Sequence, residues 1–209
     1  MATNYPRTEI TGIDISPVQP RCIKPNNVTF VLANLLTGLT FEDETFDYVF
    51  QRLMFTAIPL DSWLNTVKEL TRVLKPGGYL ELSELGPPCR TGPVTCKVFN
   101  AVNDFVAKQN IDHKVLYKLR LFVEQTGQFE DICEEKNTLS YGEKMGKLGQ
   151  AAIDNAKFGL INARQIVLPA LGVTSEEFDE MLDIVAKELR EFDTYHQIIR
   201  VYARKKEIT

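Results

Sequence analysis

Residues 61–85, DSWLNTVKELTRVLKPGGYLELSEL, decide the fold. Trp63, Leu64, Val67, Leu70, Val73 and Leu74 recur at helical spacing, and Asp61 stands where a side-chain oxygen can cap the first free N–H groups. The segment LKPGG ends this helix, because Pro76 cannot continue it and Gly77-Gly78 permit a reversal. YLELSEL, 79–85, then alternates as a strand. A helix leading through a tight turn into a strand is the repeating unit of an α/β protein.

Working outward, FDYVFQRL (46–53) reads as a strand before that helix, after the polar turn GLTFEDET. Residues 28–33 and 9–15 are two earlier β-rich runs. Pro17, Pro20 and Pro25 keep the connection between them short and mostly non-helical. Strands linked by helices or crossovers pair in parallel, so the expectation is an α/β fold with a mainly parallel sheet.

The second half is more helical. Val98, Val102, Phe105 and Val106 form one amphipathic face; Val115, Leu116, Leu119, Phe122 and Val123 form another, stopped by Gly127. FEDICEEKNTLSYG, 129–142, reads as extended, and residues 150–164 as helical. Thr174 and Glu177 make a capping box before the stripe Phe178, Met181, Leu182, Val185 and Leu189. Residues 195–204, YHQIIRVYAR, are a final strand. No repeat or linker divides the 209 residues, so a single domain is expected.

Composition narrows the function. Hydrophobic residues make up 44% and charged residues 25%, as in a soluble globular protein, and the net charge of −4 argues against nucleic acid as a partner. The one basic cluster, Arg204-Lys205-Lys206, reads as a solvated tail. Cys22, Cys89, Cys96 and Cys133 form no CxxC pair and have no histidine at a ligand spacing, which suits a reducing cytosol and offers no metal site. No apolar run approaches the ~20 residues of a membrane span, and the first residues lack a signal-peptide pattern.

In a parallel sheet, ligands sit beyond the carboxyl ends of the strands. Four strand ends here carry polar groups: Asp14, Asn34, Gln51-Arg52 and Glu84. A carboxylate can accept both hydrogen bonds of a ribose diol, and an Asn amide matches the amino group and ring nitrogen of adenine. Singly, each could be a turn residue. The ordered set points to a nucleoside-containing ligand.

TGIDISPVQP (11–20), VTFVLANLLTGLTFEDETFDYVFQRLMFTAIP (28–59) and VKELTRVLKPGGYLELSE (67–84) resemble consecutive blocks of class I S-adenosylmethionine-dependent methyltransferases. The wording SPVQP and QRL…AIP is similar to the fungal group associated with secondary metabolism. The resemblance is strong over 5–84 and looser over 174–206; residues 91–171 carry no motif and correspond to the region that covers the substrate in the family. It implies a Rossmann-like sheet, S-adenosyl-L-methionine as cofactor and a small-molecule methyl acceptor. It makes Asp14 the ribose-binding acid with Ile15 beside it at the cofactor, sets Asn34 and Leu35 beside adenine, and puts Gln51 and Arg52 at the methionine portion or the substrate. Glu84 would orient a substrate or simply end its strand.

One departure stands against these agreements. The family's Gly-rich loop lies about 20 residues before the ribose acid, which here would precede Met1. No Gly-x-Gly occurs in the chain. MATNYP resembles the end of the helix that follows that loop, so the first strand and its loop are expected to be missing. The family order sets that strand in the middle of the sheet, between the strands ending at Asp14 and Gln51. Its loss removes backbone bonds worth about 1 kcal/mol each and apolar side chains worth ~2 kcal/mol each. The sum rivals a domain's whole stability of roughly 5–15 kcal/mol. The two strands are expected to close on each other, to be bridged by another segment, or to leave a marginal fold. Cofactor held only at its adenosine end should transfer methyl groups poorly.

Other residues carry two readings each. His113 is a surface residue or a substrate base, and His196 is structural. Arg52 binds the cofactor carboxylate or pairs with Asp47 or Glu84. Trp63 is core, and Phe99, Phe105 and Phe122 are packing residues. A non-catalytic interaction protein on a degenerate methyltransferase fold is the alternative function. An NAD-dependent dehydrogenase also uses a ribose acid, but VLKPGGYLELSE and the order of blocks do not suit it.

Overall fold

A computed structural model describes residues 2–17, 19, 24–142 and 145–207. Pro20 and Cys22 lie outside the described residues. Strands β1 (Ile10–Asp14) and β2 (Val28–Leu32) pair in parallel, from Ile10↔Val28 to Asp14↔Leu32. A second sheet has the order β3-β4-β6-β5, built from β3 (Phe46–Arg52), β4 (Leu74–Cys89), β5 (Phe129–Ser140) and β6 (Tyr195–Lys205). β3 and β4 are parallel, because α1 (Trp63–Arg72) carries the chain back between them. β6 runs antiparallel to both β4 and β5, so the parallel character belongs to the first four strands.

No strand among the described residues joins the two sheets. β1 and β3 neither close on each other nor share a bridging strand. Among the described residues the strand orders are β1-β2 in the small sheet and β3-β4-β6-β5 in the larger one. Apolar side chains that a doubly covered sheet would bury stand in the open: Tyr48 is 43% exposed, Phe50 42% and Leu32 63%. The β1–β2 pair is tied to the rest through the segment after β2. Leu35 joins the core of Ile58, Trp63 and Val67. Glu69 of α1 accepts from Leu39 N at 2.6 Å, and Arg72 donates to the carbonyls of Leu39 and Phe41.

The segment LKPGG is not a turn between elements. β4 begins at Leu74 and absorbs it as a bulge, the register passing from Phe46↔Leu74 to Tyr48↔Tyr79. The glycines are needed there: Gly77 has φ +76°, and a Cβ on Gly78 would lie 2.8 Å from the Asp47 carbonyl oxygen. Asp61 does not cap α1 either. A 3-10 turn, Leu60–Ser62, precedes the helix, and Asp61 accepts instead from Ser62 Oγ at 3.2 Å. Trp63 is fully buried, as expected, stacking on Phe122 with centroids 6.2 Å apart.

The apolar stripe of residues 115–123 forms a 3-10 turn, His113–Lys118, followed by α3 (Leu119–Gln125). α2 (Pro93–Ala107), α4 (Lys147–Asn162), α5 (Arg164–Leu171) and α6 (Ser175–Glu191) surround a second core of Val98, Ile153, Val167, Phe178, Val185 and Leu189. Both bonds of the Thr174–Glu177 capping box are present, at 3.2 and 2.8 Å. The basic cluster is not a solvated tail. Lys205 is buried, its ammonium donating to the carbonyls of Thr71 at 2.9 Å, in the last turn of α1, and Leu74 at 2.6 Å, the first residue of β4. Arg204 pairs with Glu130 and Glu207.

Candidate functional site

Asp14 is the last residue of β1 and Asn34 follows β2 by two residues, so register alone brings them to one end of the small sheet. Ala33 N donates to the Asp14 carbonyl at 3.0 Å, holding the two strand ends together. The Asp14 carboxylate is exposed, and its Oδ1 accepts from Ser16 N at 2.9 Å, closing the turn at Ser-Pro. Asn34 is also exposed and caps the 3-10 turn Leu35–Thr37, its Oδ1 accepting from Leu36 N at 3.0 Å. Ile15 is 67% exposed and Leu35 is buried. Of these two neighbours, Ile15 is thus free to meet a ligand and Leu35 serves the core.

The remaining candidates lie on the larger sheet. Gln51 is buried near the end of β3 and donates from Nε2 to Glu84 Oε1 at 3.2 Å. Its own Oε1 is buried with no hydrogen-bond partner among the described residues. Arg52 is exposed and enters no ion pair among the described residues. Asp47 pairs instead with Lys75 at 2.9 Å.

Glu84 does not end its strand, since β4 runs on to Cys89; it stands opposite the point where β3 stops, next to the pair Arg52↔Ser83. It is fully buried. Oε1 also accepts from Met54 N at 2.9 Å, and Oε2 accepts from Phe55 N at 3.2 Å. Desolvation by burial pushes its carboxyl up to about 7, against the lowering effect of the Met54, Gln51 and Phe55 donors. Glu84 therefore shapes the turn after β3. Leu53 in that turn has φ +57°, a strained conformation for a residue with a side chain.

His196 is structural in form: its Nδ1 lies 2.7 Å from the Gly86 carbonyl and its Nε2 2.7 Å from the Tyr141 hydroxyl, both in the interior. Burial pushes the imidazole down and the Tyr141 phenol up to about 12. Sequence reasoning missed Tyr141, Asn103 and Glu188. Asn103 and Glu188 stand on amphipathic helices and Tyr141 follows a strand, and in neither setting does the local sequence separate a polar group turned inward from a surface one. No group of three or more His, Cys, Asp or Glu among the described residues could hold a metal ion.

The paired ends of β1 and β2, the polar cluster after β3 and the strand order together have the form of a class I S-adenosylmethionine-dependent methyltransferase fold. Residues 1–78 match the methyltransferase domain family. Among relatives, the chain is 37% identical over 87 residues to the N-methyltransferase verN of Clonostachys rogersoniana, covering 40% of this chain and 29% of that protein. It is 35% identical over 103 residues to demethylmenaquinone methyltransferase of Staphylococcus haemolyticus, covering 47% and 41%. The match thus takes in less than half the length of these curated relatives. Haemonchus contortus phosphoethanolamine N-methyltransferase 2, in complex with phosphomonomethylethanolamine and S-adenosylhomocysteine, superposes with a TM-score of 0.55 at 18% identity, over 99% of this chain and 46% of that one. The fold class expected from the sequence, a mixed α/β Rossmann-like fold, is thereby shown, and residues 1–78 carry the methyltransferase match.

Proposed function

We propose that this chain binds S-adenosyl-L-methionine and contributes to methyl transfer onto a small molecule. The observation that carries the reading is the placement of Asp14 and Asn34, exposed at the carboxyl ends of two paired parallel strands within the segment that matches the methyltransferase domain. Bound cofactor would supply an electrophilic methyl group on a sulfonium. Asp14 would accept the ribose hydroxyls, with Ile15 against the ring. Asn34 would meet the adenine amino group through its carbonyl, with Leu35 behind it. Gln51 would offer its unpartnered Oε1 to the methionine amino group, and Arg52 its guanidinium to the carboxylate.

A small acceptor is favoured by the net charge of −4 and by the relatives, whose names include demethylmenaquinone and phosphoethanolamine as the molecules acted on. Residues 91–171 would cover it, within one domain in a reducing cytosol. Asp14 and Asn34 stand on one sheet and Gln51 and Arg52 on the other, so the two ends of the cofactor are held by parts that share no strand. Slow turnover by this chain alone follows, because in-line displacement needs nucleophile, methyl carbon and sulfur in line. A second reading, a non-catalytic interaction protein, is favoured by the edges of β1 and β3, which have no partner strand among the described residues.

Calorimetric titration with S-adenosylmethionine and S-adenosylhomocysteine tests the proposal, with circular dichroism reporting the fold. Micromolar binding that Asp14→Ala weakens by about ten-fold, the loss of a charged hydrogen bond, is expected. A folded chain that binds neither ligand would leave the interaction reading in its place.

A further inference from the structure

A cavity of about 350 Å³ opens between the C-terminal half of α2, the turn at 110–114 and the far end of β4, lined among others by Pro87, Asn103, Asp104, Ala107, His113 and Lys114. Two of its lining side chains hold buried polar atoms with no partner among the described residues: Asn103 Oδ1 and His113 Nε2. Buried polar atoms are nearly always satisfied, so two orphans at one small cavity point to a ligand that satisfies them. Both can act as acceptors. Burial lowers the His113 imidazole below its usual range, and His196 adds to this, while Asp112 opposes it. The neutral ring then has one nitrogen free to receive a proton.

The cavity is connected to the candidate cofactor site through Phe55. Its backbone N–H donates to Glu84 at 3.2 Å, and its ring meets the His113 ring edge-on with centroids 4.6 Å apart. Leu60 N donates to the Asn110 carbonyl at 2.7 Å, fixing the same turn to the segment that follows β3. His113 is therefore neither a surface residue nor a core residue with its bonds complete. Asp112 fixes its backbone by capping the turn, Oδ1 accepting from Lys114 N at 2.8 Å.

We propose that this cavity binds a small molecule that presents a hydroxyl or amine proton to His113 Nε2 and Asn103 Oδ1. Its volume lies at the small end of the range for small-molecule sites, about 300–1,000 Å³, which suits a single ring or a short chain. As the methyl-acceptor site the inference rests on the function proposed above; as a ligand site it stands on the cavity alone.

The chain has two histidines, so imidazole carbon–proton NMR spectra resolve His113 from His196. His196 has both ring nitrogens engaged and serves as the internal reference. Phenol and aniline are the donor probes. Anisole and N,N-dimethylaniline have similar bodies without the donor. Saturable movement of the His113 resonance by phenol, aniline or both is expected, with the methylated partner about ten-fold weaker, and similar weakening by Asn103→Ala. Which donor binds tighter separates a hydroxyl ligand from an amine. Equal binding of the methylated partners, or no saturable shift with any probe, overturns the proposal. Parallel titration with S-adenosylhomocysteine keeps the two readings apart. Cofactor binding without a probe response removes only the cavity's role; a probe response without cofactor binding removes only the methyltransferase reading.

Discussion

Gln51 Nε2 donates to Glu84 Oε1 across neighbouring strands at 3.2 Å, and the same carboxylate collects the backbone N–H groups of Met54 and Phe55. One buried acid thus fixes the end of β3, the strained turn at Leu53 and the ring that packs on His113. Its electrostatics give the first prediction.

Burial raises the Glu84 carboxyl from 4.5 to about 7. Between these values the folded chain holds a proton that the unfolded chain has released, so stability falls as pH rises through this window and levels off above it. The full change is on the order of 3 kcal/mol at 1.36 kcal/mol per unit. Thermal melts from mildly acidic to neutral pH should show the midpoint of the native chain descending. Glu84→Gln should abolish that slope while lowering stability by about 1–2 kcal/mol, since one backbone donor then faces an amide NH₂. An unchanged slope in the variant would refute the assignment.

A second carboxylate joins the helices. Glu188 of α6 is buried and accepts from Val94 N at 3.2 Å, Thr95 N at 2.7 Å and Thr95 Oγ1 at 2.7 Å, capping the start of α2 from a distant segment. Gly92 leaves the room: a Cβ there would lie 2.3 Å from Glu188 Cδ. Glu188→Ala should cost about 2–4 kcal/mol by leaving several donors unpaired, measured by urea unfolding. Gly92→Ala should cost less when Glu188 is already Ala. Additive effects would mean that the two residues do not act on one another.

The backbone at two turns predicts opposite signs. Leu53, at φ +57° and 49% exposed, should gain about 1 kcal/mol on replacement by Gly, since the strain relieved outweighs the small burial lost. Gly78→Ala should lose more than that, because its Cβ meets the Asp47 carbonyl, a backbone atom that cannot rotate away. Denaturant midpoints of the two variants read both effects.

The free edge of β3 has no partner strand among the described residues, and Tyr48 and Phe50 beside it are 43% and 42% exposed. Such an edge is a template for association with another chain. Phe50→Lys should reduce concentration-dependent self-association in light scattering and leave the far-ultraviolet spectrum unchanged. The Tyr48 hydroxyl, bonded to Glu81 Oε2 at 2.7 Å, should keep the strand in place.

Runs of β-branched and apolar residues between turn signals located β1, β2, β3 and β6 to within a few residues of their bounds, and apolar stripes at helical spacing marked α1, α2 and α6. Local chemistry was equally legible where it is satisfied locally, as in the capping box at Thr174 and Glu177. Asp14 and Asn34 could be named in advance for a similar reason: strand ends carry ligands, and strand ends are visible in sequence. LKPGG was misread because a Pro-Gly-Gly run looks the same in a turn between elements and in a bulge inside a strand. Only the β3 partner, with Asp47 at contact distance from Gly78, separates the two.

By itself, then, the order of apolar and turn residues determined the α/β class, the position of most elements and the candidates on the first two strands. Tertiary structure alone decided what depends on partners distant in sequence. It split the strands into two sheets, turned Lys205 inward onto the carbonyls of Thr71 and Leu74, buried Glu84 where its charge is costly, and left His113 Nε2 and Asn103 Oδ1, at one cavity, without a partner among the described residues. A titratable or polar side chain takes its chemistry from the dielectric and the donors around it, and those are supplied by residues that the local sequence does not name.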